Sequence, residues 1–256
     1  LHPLAWLLLL FAPLLWAAEP WQRTDYLTSS FLEIALRREY SPGKKLPLSR
    51  WEKPIRYHLI NESGDRPLQA ELVRVQMSHL SHITGVKATQ VAARQEANLV
   101  IVMTRQSALE GWAHTLIGKS EELPAALADG LCLGNFTTRG GAIDTAVVLI
   151  PTDRARDKGK FLDCVVEELT QVMGLPNDSD RVFPSIFNDH SVDHFITPLD
   201  YLLLRILYAP ELKSGMHRED VAATLPTIVT RLAREGAINQ APRLARAGSL
   251  REWAGL

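Results

Sequence analysis

Residues 159–178 constrain the chain more than any other stretch. Apolar residues fall at 161, 162, 165, 166, 169, 172 and 173, the recurrence of a 3.6-residue helix with a wide buried face. On the other side Cys164, Glu167, Glu168 and Gln171 stand at i, i+3, i+4 and i+7 and form one polar stripe. Gly174 suits a left-handed helix cap, and Pro176 forbids continuation. The spacing therefore predicts a helix over 159–173 that delivers two carboxylates and an amide to one line. The chain then turns back sharply with Asn177 and Asp178.

This geometry resembles the active helix of the metzincin metalloproteases, whose pattern is H-E-x-x-H-x-x-G-x-x-H or D. There, His at i and i+4 share a helix face and grip zinc, Gly permits the turn to a third ligand, and Glu polarises the bound water. In this sequence Glu167 stands at the first His, Glu168 at the general base, Gln171 at the second His, Gly174 at the turn and Asn177 at the third ligand. The frame is kept and the zinc ligands are replaced. Metzincins also place a Met-containing turn under the metal, and Ser185-Ile186-Phe187 is similar to it with Phe187 in place of Met. The helix that follows in metzincins resembles 197–208, which has its own logic: Thr197 as N-cap, Pro198 as first helical residue, Asp200 as an acid in the first turn.

The runs E-E-L-T-Q-x-x-G-L-P-N-D, S-I-F-N-D and L-D-x-L-L-L-R-I-L-Y together resemble a bacterial family of unknown function, DUF2927, over about 51–216 and most specifically over 164–216. That family is grouped with zincin-like peptidases. The resemblance implies a zincin-like α/β (α+β) fold with a mixed sheet, an active-site helix and a C-terminal helical subdomain. It implies a cleft more directly than a reaction.

A chain of 256 residues with 46% hydrophobic and 22% charged residues can bury a substantial core. With 28 basic against 29 acidic residues, nothing points to nucleic acid or a membrane surface as partner. Residues 4–15 form an apolar run followed by Ala17-Ala18-Glu19-Pro20. The run has the length of a secretory h-region and is short for a membrane span. It lacks an initiator Met and a basic n-region, so 1–18 reads as a truncated signal peptide, with an uncleaved anchor as the alternative. No Cys near this region supports a lipid anchor. A periplasmic or secreted location follows as an expectation. There an even cysteine count reads as a disulfide, here Cys132–Cys164, closing a loop worth roughly 3–4 kcal/mol. Two buried free thiols are the alternative.

In chain order, residues 19–50 read as a helical extension with an amphipathic helix over 21–40 and a turn at 41–45. The zincin-like domain is expected over 51–216. Strands are expected at 54–60, 86–91 and 97–103, with 86–91 beside 97–103, and a helix at 67–83. An edge strand over 131–136 carries Cys132, a turn falls at Gly140-Gly141, and a further strand spans 146–150. If Cys132 sits on the edge, its disulfide ties the cleft's upper rim to the active helix. Residues 217–256 read as a helix over 220–234 interrupted at Pro226, then a weakly ordered tail or one surface helix.

Rival motifs are weaker. Ala113 to Ser120 satisfies a loose phosphate-loop pattern, but Glu121 and Glu122 stand where phosphate would sit, so no nucleotide is expected. His190 and His194, beside Asp189 and Asp193, have metal-like spacing only if helical, and read as exposed loop residues or a relocated metal site. His79 and His82 read as structural residues on a polar helix face. Asp178, Asp180, Asn188 and Asp189 are expected to return to the cleft floored by Glu167 and Glu168. Zinc held by Glu167, Gln171 and Asn177 is poor chemistry; no cofactor is expected, although another divalent cation is conceivable. The leading expectation is a zinc-free cleft binding a peptide or cell-envelope polymer. The alternative is a hydrolase with Glu168 as general base and Glu167 or an unusual cation as partner. Gln171 is expected to donate its amide hydrogens to Glu167 or Asp178.

Overall fold

The computed structural model describes residues 19–40, 43 and 45–256. The expected signal segment at 1–18, and Ser41, Pro42 and Lys44 of the expected turn, lie outside the described residues. The chain is a mixed α/β protein. Helix α1 (Thr24–Ala35) is followed by β1 (Ile55–Asn61), α2 (Arg66–Thr84), β2 (Ala88–Gln90) and β3 (Leu99–Thr104). Then come α3 (Gln106–Leu116), α4 (Leu123–Asp129), β4 (Leu133–Arg139), β5 (Ala142–Pro151) and the short α5 (Thr152–Asp157). The central helix α6 (Phe161–Gln171) precedes α7 (Pro198–Leu207), α8 (Arg218–Arg234), α9 (Ala237–Arg246) and α10 (Leu250–Trp253).

The five strands form one sheet in the order β2-β1-β3-β5-β4. Four run parallel, and β4 pairs antiparallel with β5 at the edge. The expectation that 86–91 would lie beside 97–103 is corrected: β2 pairs with β1, and β1 separates it from β3. The reason is burial. β3 is apolar on both faces and takes a strand on each side, as a sheet centre does. β2 is three residues long and mostly exposed, which suits an edge.

Helix α6 packs on β4, β5 and α2, burying Val165, Val166 and Leu169. Its amphipathic face is the one the periodicity predicts. The helix ends at Gln171, two residues before the expected end, and the carbonyls of its cap and of the residue after it are met by aromatic donors. Trp51 Nε1 donates to the Val172 oxygen at 2.9 Å, and the Tyr208 hydroxyl donates to the Met173 oxygen at 2.8 Å. These are groups a helix end leaves without intrahelical partners. Cys132, immediately before β4, is bonded to Cys164 of α6 with Cα atoms 5.9 Å apart, so the bridge ties the sheet edge to the helix as expected.

Helix α7 is buried almost all round, the mark of a helix inside a core. Thr197 and Asp200 form a reciprocal capping box at its start. Helices α1, α8 and α9 pack around it, and Leu27, Phe31 and Ile34 of α1 are fully buried in the main core. The expected helix over 21–40 ends at Ala35, freeing Glu39 and Tyr40 to reach the cleft. Two expectations at the C-terminus are corrected. Pro226 does not interrupt α8, because it lies on the exposed face, where water can serve the carbonyl it leaves unpaired. The expected tail is two helices, anchored by the buried Ala241, Ala245 and Leu250; its alternation of Arg with Ala is a helix face against α7. Among the described residues no helix is long and apolar enough to cross a membrane.

Candidate functional site

The edge strand and the central helix define a cleft of about 350 Å³. Helix α6 supplies Cys164, Glu167, Glu168 and Gln171, the stripe expected from the sequence. Leu133 and Gly134 of β4 form the opposite wall. Gly134 is close enough to the helix that an added Cβ would meet Glu168 Oε2 at 2.8 Å. Asp178 enters from the turn after α6, and Ile186, Asn188 and Asp189 from the loop beyond it.

Within the cleft Gln171 Nε2 donates to Asp178 Oδ1 at 2.8 Å, one of the two arrangements expected. Glu167, Asp178 and Asp189 each offer a carboxylate oxygen, and the three oxygens lie within 4.8 Å of one another. Glu168 is 8% exposed, and its Oε2 is buried without a hydrogen-bond partner. Ser185-Ile186-Phe187 adjoins the cleft, with Ile186 in its wall. The Ser185 hydroxyl and the Ile186 N–H donate to the two oxygens of Asp200, at 2.6 and 3.1 Å, and Phe187 is fully buried.

A family profile for a protein of unknown function, DUF2927, matches residues 24–227. The chain belongs to the DUF2927 family. The match spans every wall of the cleft, from Glu39 to His194, and includes α1, which lies upstream of the stretch that carries the sequence resemblance. No curated protein matches the chain.

The DUF2927 cleft does not fit zinc held by the residues at the metzincin ligand positions. Asn177 points elsewhere: it is buried, its amide donates to the Glu33 and Asp178 backbone oxygens, and it does not line the cleft. The Gln171 amide nitrogen is committed to Asp178, and an amide oxygen is a weak zinc ligand. Asp180 is likewise outside the cleft wall, facing the exposed His190 at 3.6 Å. The two loop histidines do not share a point. His194 Nδ1 lies 2.9 Å from Asp163 Oδ1, and Lys160 meets the other oxygen of the same carboxylate at 2.7 Å. The loop is not helical, so the i+4 spacing brings nothing together. The loose phosphate-loop residues begin in the last turns of α3 rather than in a loop after a strand. His79 is buried, with neither ring nitrogen hydrogen-bonded, and is not on a polar face; His82 is the exposed one.

Sequence reasoning missed Glu39, Tyr40 and Gly134. Glu39 and Tyr40 follow α1, over a hundred residues from α6, and no local pattern links the two. Glu39 adds charge to a cleft already rich in it. The Asp178 carboxyl is pushed up to about 8, first by burial and then by the charge of Glu39, with the Gln171 hydrogen bond opposing. Glu167 and Glu168 are raised well above the usual carboxylate range, by burial first and by Asp178 next. Glu39 is raised too, through loss of water around its carboxyl, although the residue as a whole stays exposed at the rim.

These shifts set a pH dependence with a definite sign. A carboxyl whose folded pKa lies above its unfolded value binds more protons when folded, so stability falls as pH rises toward the folded pKa. His79 is shifted down to about 4 by burial, and its contribution runs the other way, growing as pH rises through the range below 6.5. Above pH 6.5 the carboxyl cluster dominates. Between pH 6.5 and 8 the stability of the metal-free protein is expected to drop by about 1–2 kcal/mol, a figure reduced for water reaching the half-buried Asp178. Urea unfolding at a series of pH values measures this. Asp178→Asn should flatten the slope, and an unchanged slope would show that the cluster does not titrate in this range.

Proposed function

We propose that this protein is an exported, zincin-like member of its family whose cleft binds a peptide or cell-envelope polymer without catalytic zinc. The observation that carries this reading is the hydrogen bond from Gln171 to Asp178. It commits the side chain that stands at the second imidazole of the metzincin pattern to a neighbouring carboxylate. Further support comes from the architecture: a mixed sheet whose antiparallel edge strand roofs a cleft floored by one helix, with a buried turn adjoining it, as zincin-like domains are built. The Cys132–Cys164 disulfide favours an oxidising compartment. The ligand chemistry follows from the lining. Glu39, Glu167, Glu168, Asp178 and Asp189 make the cleft acidic, which favours amine or guanidinium groups on the ligand and disfavours anionic ones.

Binding of a Lys-rich and a Glu-rich peptide, and of soluble cell-wall fragments bearing free amines, tests the reading by fluorescence anisotropy. Amine-bearing ligands should bind, Asp178→Asn should weaken them, and the Glu-rich peptide should not bind. Failure of every amine-bearing ligand would remove the reading. A second reading, hydrolysis, is favoured by one observation: Glu168 is buried, its Oε2 has no hydrogen-bond partner and its pKa is raised, the condition of a carboxyl that holds a proton at neutral pH and can give it up as a general acid. Hydrolysis of casein or cell-wall polymer that Glu168→Gln abolishes would establish it.

A further inference from the structure

Five carboxylates in the cleft, those of Glu39, Glu167, Glu168, Asp178 and Asp189, have no ion-pair partner among the described residues. The nearby Lys160 and His194 are already committed, since both meet Asp163. Three of the five come from different segments, α6, the turn after it and the loop at 188–194, and still place one oxygen each within 4.8 Å of the others. A cluster of acids alone means little, because exposed ones are common. Here a separate feature stands beside it. Glu168 is more than nine-tenths buried against the same cleft, and its Oε2 has no hydrogen-bond donor and no exposure to water. A buried carboxyl in that condition either keeps a proton or faces a cation that compensates its charge.

We propose that the cleft holds a hard divalent cation of the calcium type between the carboxylates of Glu167, Asp178 and Asp189, with Glu168 lining the same cleft. The proposal rests on reading this cleft as a binding site and adds the ion that the site takes. An all-oxygen donor set selects calcium or magnesium over zinc. Calcium accepts six to eight oxygens at roughly 2.3–2.6 Å in flexible geometry. Such bond lengths span the separations found here, and the exposed Asp189 leaves one side open for water or a ligand oxygen to complete the shell. Gln171 gains a role in this arrangement. Its amide holds Oδ1 of Asp178 and so fixes that carboxylate beside Glu167, as groups behind metal ligands commonly do.

Calcium chloride titrated into chelator-treated full-length protein, followed by calorimetry and by thermal unfolding, tests the proposal with the metal alone. One site per chain and a rise in the unfolding temperature are expected. Asp189→Asn, a change at an exposed residue, should weaken calcium at least tenfold, and Asp178→Asn should do the same. Zinc should bind more weakly than calcium. The absence of calcium heat and of any thermal shift in the parent would overturn the proposal, as would unchanged affinity in Asp189→Asn. Because no peptide or polymer enters this titration, its failure is separate from failure of the ligand reading. Calcium binding without any amine-bearing ligand would leave the ion site standing alone.

Discussion

Gly174→Ala is expected to destabilise the protein by about 3–5 kcal/mol. Gly174 has φ +116°, a conformation that side chains rarely adopt, and an added Cβ would collide with the backbone oxygen of Ser49. Neither partner can give way easily. Ser49 precedes Trp51, whose indole holds the Val172 carbonyl, and Gly174 itself donates its N–H to the Gln171 oxygen at 2.9 Å. The substitution would therefore push the turn after α6 off the segment at 48–51 and displace Asp178 from Gln171. Gly85 supplies the contrast. It also has positive φ but open space around it, so Gly85→Ala should cost only about 1 kcal/mol. Urea unfolding midpoints compare the two variants. Equal losses would mean that the backbone contact at Ser49 does not constrain the turn.

Asp200→Ala should destabilise by a similar amount, about 3–5 kcal/mol. The Asp200 carboxylate is fully buried and accepts from three donors: the Ser185 hydroxyl and the Ile186 and Thr197 N–H groups. Burial pushes its pKa up to about 6 against those hydrogen bonds, so it is charged at pH 7 and its loss leaves three buried donors without an acceptor. The effect should reach the cleft, since Ile186 lines it. Asp200→Asn keeps one acceptor oxygen and should fall between parent and Ala. If Asn and Ala are equally mild, the carboxylate is not what fixes that turn.

The parts of this fold that were legible in the sequence are those whose causes are local. The polar stripe of α6 follows from 3.6-residue periodicity, the capping box of α7 from Thr197 and Asp200, and the disulfide from a pair with no competitor. The hydrogen bond from Gln171 to Asp178 was accessible because three residues of tight turn limit where Asp178 can go. Placement that depends on distant segments was not legible. β2 reads as a strand, but whether it lies beside β1 or β3 depends on which strand most needs both sides covered. Asn177 occupies the third-ligand position of the pattern, yet its amide is held by the backbone of Glu33, a residue of α1 that no spacing connects to it. Glu39 reaches the cleft by the same long-range packing. The C-terminal helices looked polar because Arg and Ala alternate, while the small Ala241 and Ala245 are what let α9 approach α7 closely.

The most direct test is to restore two imidazoles to α6. Glu167 and Gln171 stand one turn apart on one helix face, with the Asp178 carboxylate already within hydrogen-bonding reach of position 171. The double substitution Glu167→His with Gln171→His would thus create a two-imidazole, one-carboxylate set of the kind zinc accepts. Zinc binding measured by calorimetry should rise at least a hundredfold over the parent, with circular dichroism unchanged. An intact fold whose zinc affinity equals that of the parent would mean that these side chains do not face a common point, and the metzincin reading of the helix would be lost.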